Sequence, residues 1–369
     1  MKDASRGEIS PESPATAKSN SATHPFVELV YGHLWCYRPP LETIESSLGD
    51  YRLSMPPLPI IIDTDPGQDD AVAILAALGS PALDVIAVTT VGGNVPLDLT
   101  TKNALILLEV AERTDVPVYA GHAGPADRPL VTAEYVHGKS GLDGANRPDP
   151  TTAVQEQHAV DFLIETLDAL DPAGPGITLC PLGPLTNIGD LVTRRPDLND
   201  RIKEIVLMGG GHFEGGNITP AAEFNIYVDP TAAAAVFASG VRLVMMPLDV
   251  THKAITSPER IAAFADLGSA SGAVTAGMLG FFERFDIERY GRKGGPLHDP
   301  TVIAYLIEPE IFSGRECNVE IEVTSELTMG ATVVDWWQGT GRPHNCLVIR
   351  DLDHERFFAL LVGCIANLP

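Results

Sequence analysis

The sequence predicts an α/β fold, a mostly parallel central sheet flanked by helices, on three observations. Short β-branched apolar runs alternate with longer helical patterns from Leu58 onward, the order expected of βα units. The runs are apolar enough to require cover on both faces of the sheet. Each closes in a loop containing Gly, Pro or Asn: "DPGQDD", "GGNVP", "GHAGP", "PLGPLTN", "GGGHFEGGN", "PLDVTHK". In open parallel sheets ligands sit beyond the carboxyl ends of the strands, so these loops are expected to border a site.

In chain order, "LPIIID" is the first strand and "DDAVAILAALGS" the first helix; "LDVIAVTTV" is a second strand and "LTTKNALILLEVAERT" its helix. "VPVYAG", "GITLCPLG", "IKEIVLMGG" and "VRLVMMPLDV" continue the sheet. Between Cys317 and Arg350, "CNVEIEV", "GATVVDWW" and "NCLVIRD" are expected as a small appended region of strands or a hairpin. "DHERFFALLVGCIA" is the closing helix, with Asp353 as its N-cap. The folded domain is expected over 58–369, with residues 1–57 as an N-terminal extension. As far as Pro25 the extension has scarcely a bulky apolar side chain to offset the entropy of ordering, and is expected to be a flexible tail. From Phe26 to Pro59 it is more apolar without a sustained period, and Met55 is an alternative start.

The formal net charge of -24 argues against a general nucleic-acid surface, which needs clustered Lys and Arg, and favours a small-molecule or cationic partner. Five scattered cysteines without a CxxC pair suggest neither a disulfide framework nor a zinc site. With no long apolar run and no basic-then-apolar start, neither a membrane span nor a secretory signal is expected, and the expected compartment is the cytoplasm.

"IIIDTDPGQDDAVAIL" gathers Asp63, Asp65, Asp69 and Asp70 where a strand meets a helix. Two unit charges about 4 Å apart repel by roughly 4 kcal/mol at an effective dielectric near 20. A helix N-terminus returns only about 0.3–1 kcal/mol. A bound hard cation, Ca²⁺ or Mg²⁺, would reverse the sign of the interaction. The blander possibility is that Asp69 and Asp70 cap the helix while Asp63 pairs with a backbone donor. The spacing and Pro66 are wrong for an EF-hand, and "GGG" at Gly209 to Gly211 lacks the Lys-Ser/Thr of a P-loop.

"DTDPGQDDAVAI" resembles the Asp-x-Asp-Pro-Gly-x-Asp-Asp motif of the inosine-uridine preferring nucleoside hydrolase family. "VGGNV", "VHGKSGLDG", "GPLTNI", "MGG", "GNITPAAEFNIYVDP" and "PLHDP" resemble its later motifs in the same order. The resemblance runs from about Leu58 to the C-terminus. It implies a Rossmann-like nucleoside hydrolase fold and cleavage of a ribonucleoside to free base and ribose. It also implies a Ca²⁺ cofactor, a homo-oligomer (dimer or tetramer) and a place in nucleoside salvage or catabolism.

Carried over by position, the resemblance makes Asp65, Asp70 and Asp299 carboxylate ligands and the Leu182 carbonyl a further ligand, where relatives often carry Thr. Asp65 also resembles the general base acting on the metal-bound water. Asp69 would accept a ribose hydroxyl, and Asn94, Met208, Asn217, Glu223 and Asn225 match sugar-holding positions. A lone histidine more often caps or packs, but His298 directly precedes a proposed ligand in "HDP" and matches a residue linked to leaving-group protonation. His137 in "VHGKSGL" would lie near the base. "HDP" resembles the inosine-uridine or pyrimidine-leaning branch and "GLDG" resembles pyrimidine-preferring members, with the base preference left open; the stretch around Gly291 to Gly295 is expected to be a mobile flap, with Tyr290 a candidate lid contact. Asp63 is expected to orient its neighbours, Asp229 to cap "PTAAAAVF", and Trp336 and Trp337 to serve core packing or an interface.

A haloacid-dehalogenase-like phosphatase also opens on Asp-x-Asp but continues differently from Pro-Gly-Gln-Asp-Asp. A non-catalytic nucleoside- or Ca²⁺-binding protein on the same fold would not need a base beside the metal.

Overall fold

The computed structural model describes residues 56–290 and 294–369, with the backbone alone over 283–290. The stretch expected to be a flexible tail, the alternative start at Met55, the Tyr290 side chain and the Gly291–Lys293 part of the expected flap lie outside the described residues. Among the described residues there are ten strands: β1 (Leu58–Thr64), β2 (Leu83–Thr90), β3 (Val118–Ala120), β4 (Ile177–Pro181), β5 (Ile202–Met208), β6 (Leu243–Met246), β7 (Phe312–Cys317), β8 (Val319–Ile321), β9 (Thr332–Val334) and β10 (Cys346–Leu352). Eight form one sheet in the order β3-β2-β1-β4-β5-β6-β10-β7, parallel except where β7 runs against β10. The order reverses between β1 and β4, so the loops after those strands diverge to opposite sides and leave a crevice at their carboxyl ends.

Among the described residues the helices are α1 (Gln68–Gly79), α2 (Leu97–Val110), α3 (Glu134–His137), α4 (Ala159–Asp168), α5 (Thr186–Arg194), α6 (Phe224–Val228), α7 (Pro230–Phe237), α8 (Leu248–Thr251), α9 (Pro258–Ala265), α10 (Ala270–Tyr290), α11 (Pro300–Ile307) and α12 (His354–Ile365). Every residue of α1 is buried, which explains its unbroken apolar text: a helix apolar all round must be enclosed all round. It packs against α10, α11 and α12, and a Cβ on Gly79 would lie 2.1 Å from the Cys364 carbonyl oxygen of α12. One core cluster, around Ile62, Leu75, Val206 and Phe357, takes in α1; a second, around Ile61, Leu179, Ile205 and Trp336, covers the other face.

The small appended strand region expected near the C-terminus is present as the pair β8 and β9, while the last strand of that stretch joins the main sheet. β10 pairs parallel with β6, Leu347 opposite Val244, and carries β7 with it, so both extend the main sheet; β8 and β9 form the separate antiparallel pair. Cys346, Val348 and Ile349 of β10 are buried and need that cover, while the middle of β7 is exposed and charged, as suits a sheet edge. Asp353 caps α12 by accepting from the Arg356 amide at 3.1 Å, and Asp229 caps α7 by accepting from Ala232 N at 2.9 Å. Trp336 is buried beneath the Arg315 and Arg350 guanidiniums, whereas Trp337 is exposed.

Candidate active site

β1 delivers Asp63 and Thr64 to its carboxyl end, the Asp65–Gly67 turn follows, and α1 begins at Gln68. Asp63 Oδ1 accepts from Thr89 Oγ1 (2.6 Å) and Asn187 Nδ2 (2.8 Å), tying β1 to β2 and to the first turn of α5. Burial lifts its pKa to about 6 against those two bonds.

Asp65 is gripped between two loops. Its Oδ2 accepts from Asn94 N at 2.7 Å and its main-chain oxygen from Asn94 Nδ2 at 3.1 Å. A Cβ on Gly93 would fall 2.1 Å from Oδ2, and one on Gly183 would fall 2.2 Å from Oδ1. The Gly residues of "GGN" and "GPLTN" therefore make room for this carboxylate. Gly183→Ala is expected to displace Asp65, with a loss of about 1–3 kcal/mol of stability from overpacking and a larger fall in turnover. Thermal unfolding and kcat measured on the same preparation check both effects.

Asp70 Oδ1 accepts from Thr64 Oγ1 (2.5 Å), and Oδ2 from Gly67 N (2.9 Å) and Asn94 Nδ2 (3.2 Å). Asp299 arrives at the start of α11. Carboxylate oxygens of Asp69, Asp70 and Asp299 all lie within 4.8 Å of one another. Burial first, then the Asp70 charge, raises Asp65 well above the carboxylate range and pushes Asp69 to about 7. Burial first, then the charges of Asp69, Asp70 and Asp65, raises Asp299 well above it too.

The donor set fits a divalent cation. It is all oxygen, as Ca²⁺ and Mg²⁺ prefer, and Asp65 Oδ1 is buried without a partner among the described residues. Lys253, on the wall of the cavity, turns its Nζ to the Arg350 carbonyl (2.6 Å) and Asp351 (3.2 Å) and neutralises none of them. From the sequence, Asp69 is assigned to ribose and Asp65 to the ion. The structure places Asp69 both in the cluster and on the cavity wall, and Asp65 just outside that triple.

The cavity has a volume of about 590 Å³, within the ordinary range for small-molecule sites. All seven residues assigned to substrate, Asp69, Asn94, His137, Met208, Asn217, Glu223 and Asn225, line it, together with Leu182, His298 and Asp299; Asp65 and Asp70 are buried and are not among the lining residues. Glu223 caps α6 through Asn225 N (2.9 Å) and Ile226 N (3.2 Å) and also accepts from Gly210 N (3.0 Å). Burial nevertheless raises its pKa to about 7. Asn225 Nδ2 donates to the Leu182 carbonyl (2.7 Å) and to Met208 O (3.2 Å), so the carbonyl assigned to the ion already accepts one bond. Asn217 Oδ1 accepts from Phe224 N at 2.9 Å.

The two histidines are held differently. His298 Nδ1 lies 2.8 Å from Thr251 Oγ1, and desolvation, then His252 and His137, push its pKa down to about 3. His137 Nδ1 lies 2.8 Å from Gln68 Oε1, its ring stacks on Phe282 at 5.7 Å, and desolvation lowers it to about 4. Sequence reasoning missed Gln68, Thr251, Phe282 and a His252–Glu214 pair (3.4 Å) on the cavity wall. "VTHK" in a strand-end loop is the one local signal that could have found Thr251 and His252.

The inosine-uridine preferring nucleoside hydrolase family model matches residues 60–359. A Schizosaccharomyces pombe protein described as uncharacterised is 50% identical over 310 residues, 84% of this chain and 99% of its own length. The pyrimidine-specific ribonucleoside hydrolase RihA of Photobacterium profundum is 46% identical over 84% of this chain and 99% of its own. A solved plant nucleoside hydrolase superposes with a TM-score of 0.78 at 32% identity, covering 84% of this chain and 99% of that one. With the motif order, the sheet and the acidic crevice in agreement, the chain belongs to the inosine-uridine preferring nucleoside hydrolase family and is a ribonucleoside N-glycosidase.

Proposed function

We propose that this hydrolase works on pyrimidine ribonucleosides with Ca²⁺ as cofactor, Asp65 as general base and His298 as general acid. The observation that carries this reading is the buried carboxylate triple of Asp69, Asp70 and Asp299, with Asp69 and Asp299 on the cavity wall, beside a buried Asp65 whose Oδ1 has no partner among the described residues. Asp65, Asp69, Asp70 and Asp299, with the Leu182 carbonyl, would hold the ion. When bound, Ca²⁺ supplies charge that lowers the pKa of a water and anchors a sugar diol.

Asp65 Oδ1 takes the proton from the attacking water; its other oxygen stays on Asn94 N and fixes its direction. Attack falls on C1′ as the ribosyl group gains oxocarbenium character. Asn94, Asn217, Glu223 and Asn225 orient the ribose hydroxyls. His298, neutral in its desolvated place, accepts the Thr251 hydroxyl at Nδ1 and aims its Nε2–H at the departing base; as that proton passes to the base the Thr251 hydroxyl proton follows onto Nδ1, so that no imidazolate forms, and Thr251 is reprotonated from solvent, to which Asp65 returns the proton of the water. Free base and ribose leave, products suited to salvage or catabolism. The pyrimidine preference is supported by the likeness to RihA and by "HDP" and "GLDG".

Release of free base from uridine, cytidine, inosine and adenosine, with and without a chelator, tests the reading. Chelator-sensitive release, fastest from the pyrimidine ribosides, is expected. Binding of nucleoside without release would mark a non-catalytic binding protein instead. 2′-Deoxyuridine leaves polar groups of the sugar wall unpaired at a cost of about 1–3 kcal/mol, so its kcat/KM is expected to be about 5- to 150-fold lower. Parallel kcat/KM measurements on uridine and 2′-deoxyuridine check this.

A further inference from the structure

Gln68 occupies the variable position between the aspartates of "DPGQDD" and is fully buried. Its Nε2 lies 2.9 Å from the His137 carbonyl oxygen and 3.2 Å from the Asp143 carbonyl oxygen. Carbonyl oxygens only accept, so the amide nitrogen belongs on that side and the amide cannot be turned over without facing oxygen with oxygen. Gln68 Oε1 is then the atom 2.8 Å from His137 Nδ1. An amide oxygen also only accepts, so Nδ1 must carry the proton. A neutral imidazole has a single N–H, which leaves Nε2 with its lone pair.

The ring is held in this orientation. Its Nδ1–Cε1 edge rests on Gly67, where a Cβ would come within 2.4 Å of Nδ1, and its face stacks on Phe282. Turning the ring over would replace Nδ1 by a carbon and forfeit the bond to Gln68. Among the described residues Nε2 has no hydrogen-bond partner, and His137 lines the cavity. Desolvation, which lowers the pKa of His137 to about 4, keeps the ring neutral at neutral pH.

We propose that Gln68 is a positioning residue that fixes His137 as the Nδ1–H tautomer, so that Nε2 meets the substrate as a hydrogen-bond acceptor and selects a base bearing an N–H donor. A neutral histidine in water prefers the proton on Nε2, so the protein reverses the default. The imide N–H of uracil and the amino group of cytosine carry such a donor. This rests on the pyrimidine reading above only for the identity of that donor. The tautomer itself can be read without turnover, so the two ideas fail separately.

The test is long-range ¹H–¹⁵N spectroscopy of the ¹⁵N-histidine-labelled full chain near pH 7. His137 is assigned by the signal that disappears in His137→Gln. The wild type is expected to show the Nδ1–H pattern, and an Nε2–H pattern would overturn the proposal with no variant required. Gln68→Met removes the acceptor and is expected to shift His137 towards Nε2–H and to lower kcat/KM on uridine by about 10- to 100-fold. Gln68→Glu, buried against two carbonyls and held as the neutral acid, keeps an oxygen for Nδ1 and is expected to retain the tautomer and most of the activity. A merely structural role would make the two variants fall together with the tautomer unchanged, and that result would overturn the assignment.

Discussion

Asp65→Asn is expected to lower kcat by about 10²- to 10⁴-fold while leaving the chain folded, because the amide fills the same space but cannot take a proton. Asn keeps an oxygen to accept from Asn94 N, the bond that orients the side chain, and loses basicity at the unpartnered Oδ1. No larger residue is admitted, since Gly93 and Gly183 press on either side of this group. The same substitution is expected to raise the thermal midpoint of the metal-free protein. Asp65 is buried among like charges that push its pKa well above the ordinary range, so in the absence of an ion its charged form opposes folding. A loss of activity together with a gain in metal-free stability separates a functional carboxylate from a structural one. Wild-type kcat, or a fall in the metal-free midpoint, would contradict the role. Steady-state kinetics on uridine and calorimetry of the dialysed protein give the two readouts.

The parts of this site that were legible in the sequence are those in which the chemistry is local. "DTDPGQDD" places a buried strand, a Pro-Gly turn and two helix-opening carboxylates within one short run, and the β1–turn–α1 geometry follows from it. The resemblance supplied Asp299, Glu223 and Asn225, which no spacing connects to Asp65; the crevice that unites them depends on where the sheet order reverses. The role of Gln68 was invisible for the same reason. Its partners are the end of α3 at His137 and the loop after it at Asp143, far along the chain, and a Gln beside a Gly in a turn has no local pattern to betray it. The joining of β10 to the main sheet is not legible in "NCLVIRD" because β10 pairs with β6 across the four helices α8 to α11, while its sequence neighbours point to a hairpin. His252 and Glu214 come together from two loops, and neither loop alone marks a contact.

Removing the ion is expected to abolish base release and to lower thermal stability by an amount that grows with pH. The sign follows from the carboxylates. Asp69 is raised to about 7, and Asp65 and Asp299 are raised well above the usual value of 3.8, because burial and mutual repulsion disfavour their charged forms. In the metal-free protein this cluster's contribution to stability is fully present below about pH 3.8, where folded and unfolded carboxyls are both protonated. It is lost as pH rises through about 7, where the unfolded chain ionises freely and the folded cluster ionises at a cost. The proposed Ca²⁺ would bind the deprotonated cluster, so its affinity is expected to rise over the same window. At a hundredfold excess over Kd the ion adds about 2.7 kcal/mol, and that increment requires ionised carboxylates. The difference in midpoint between Ca²⁺-saturated and dialysed protein is therefore expected to be large at pH 8 and small at pH 5. Scanning calorimetry of dialysed protein, with Ca²⁺ added back at each pH, makes the measurement without relying on a chelator whose own affinity changes with pH. A gap that is constant across this range would mean that the four aspartates do not share an ion. Asp299→Asn provides the internal control: distant in sequence but inside the cluster, it is expected to shrink the gap at pH 8 as strongly as a substitution at Asp70 does.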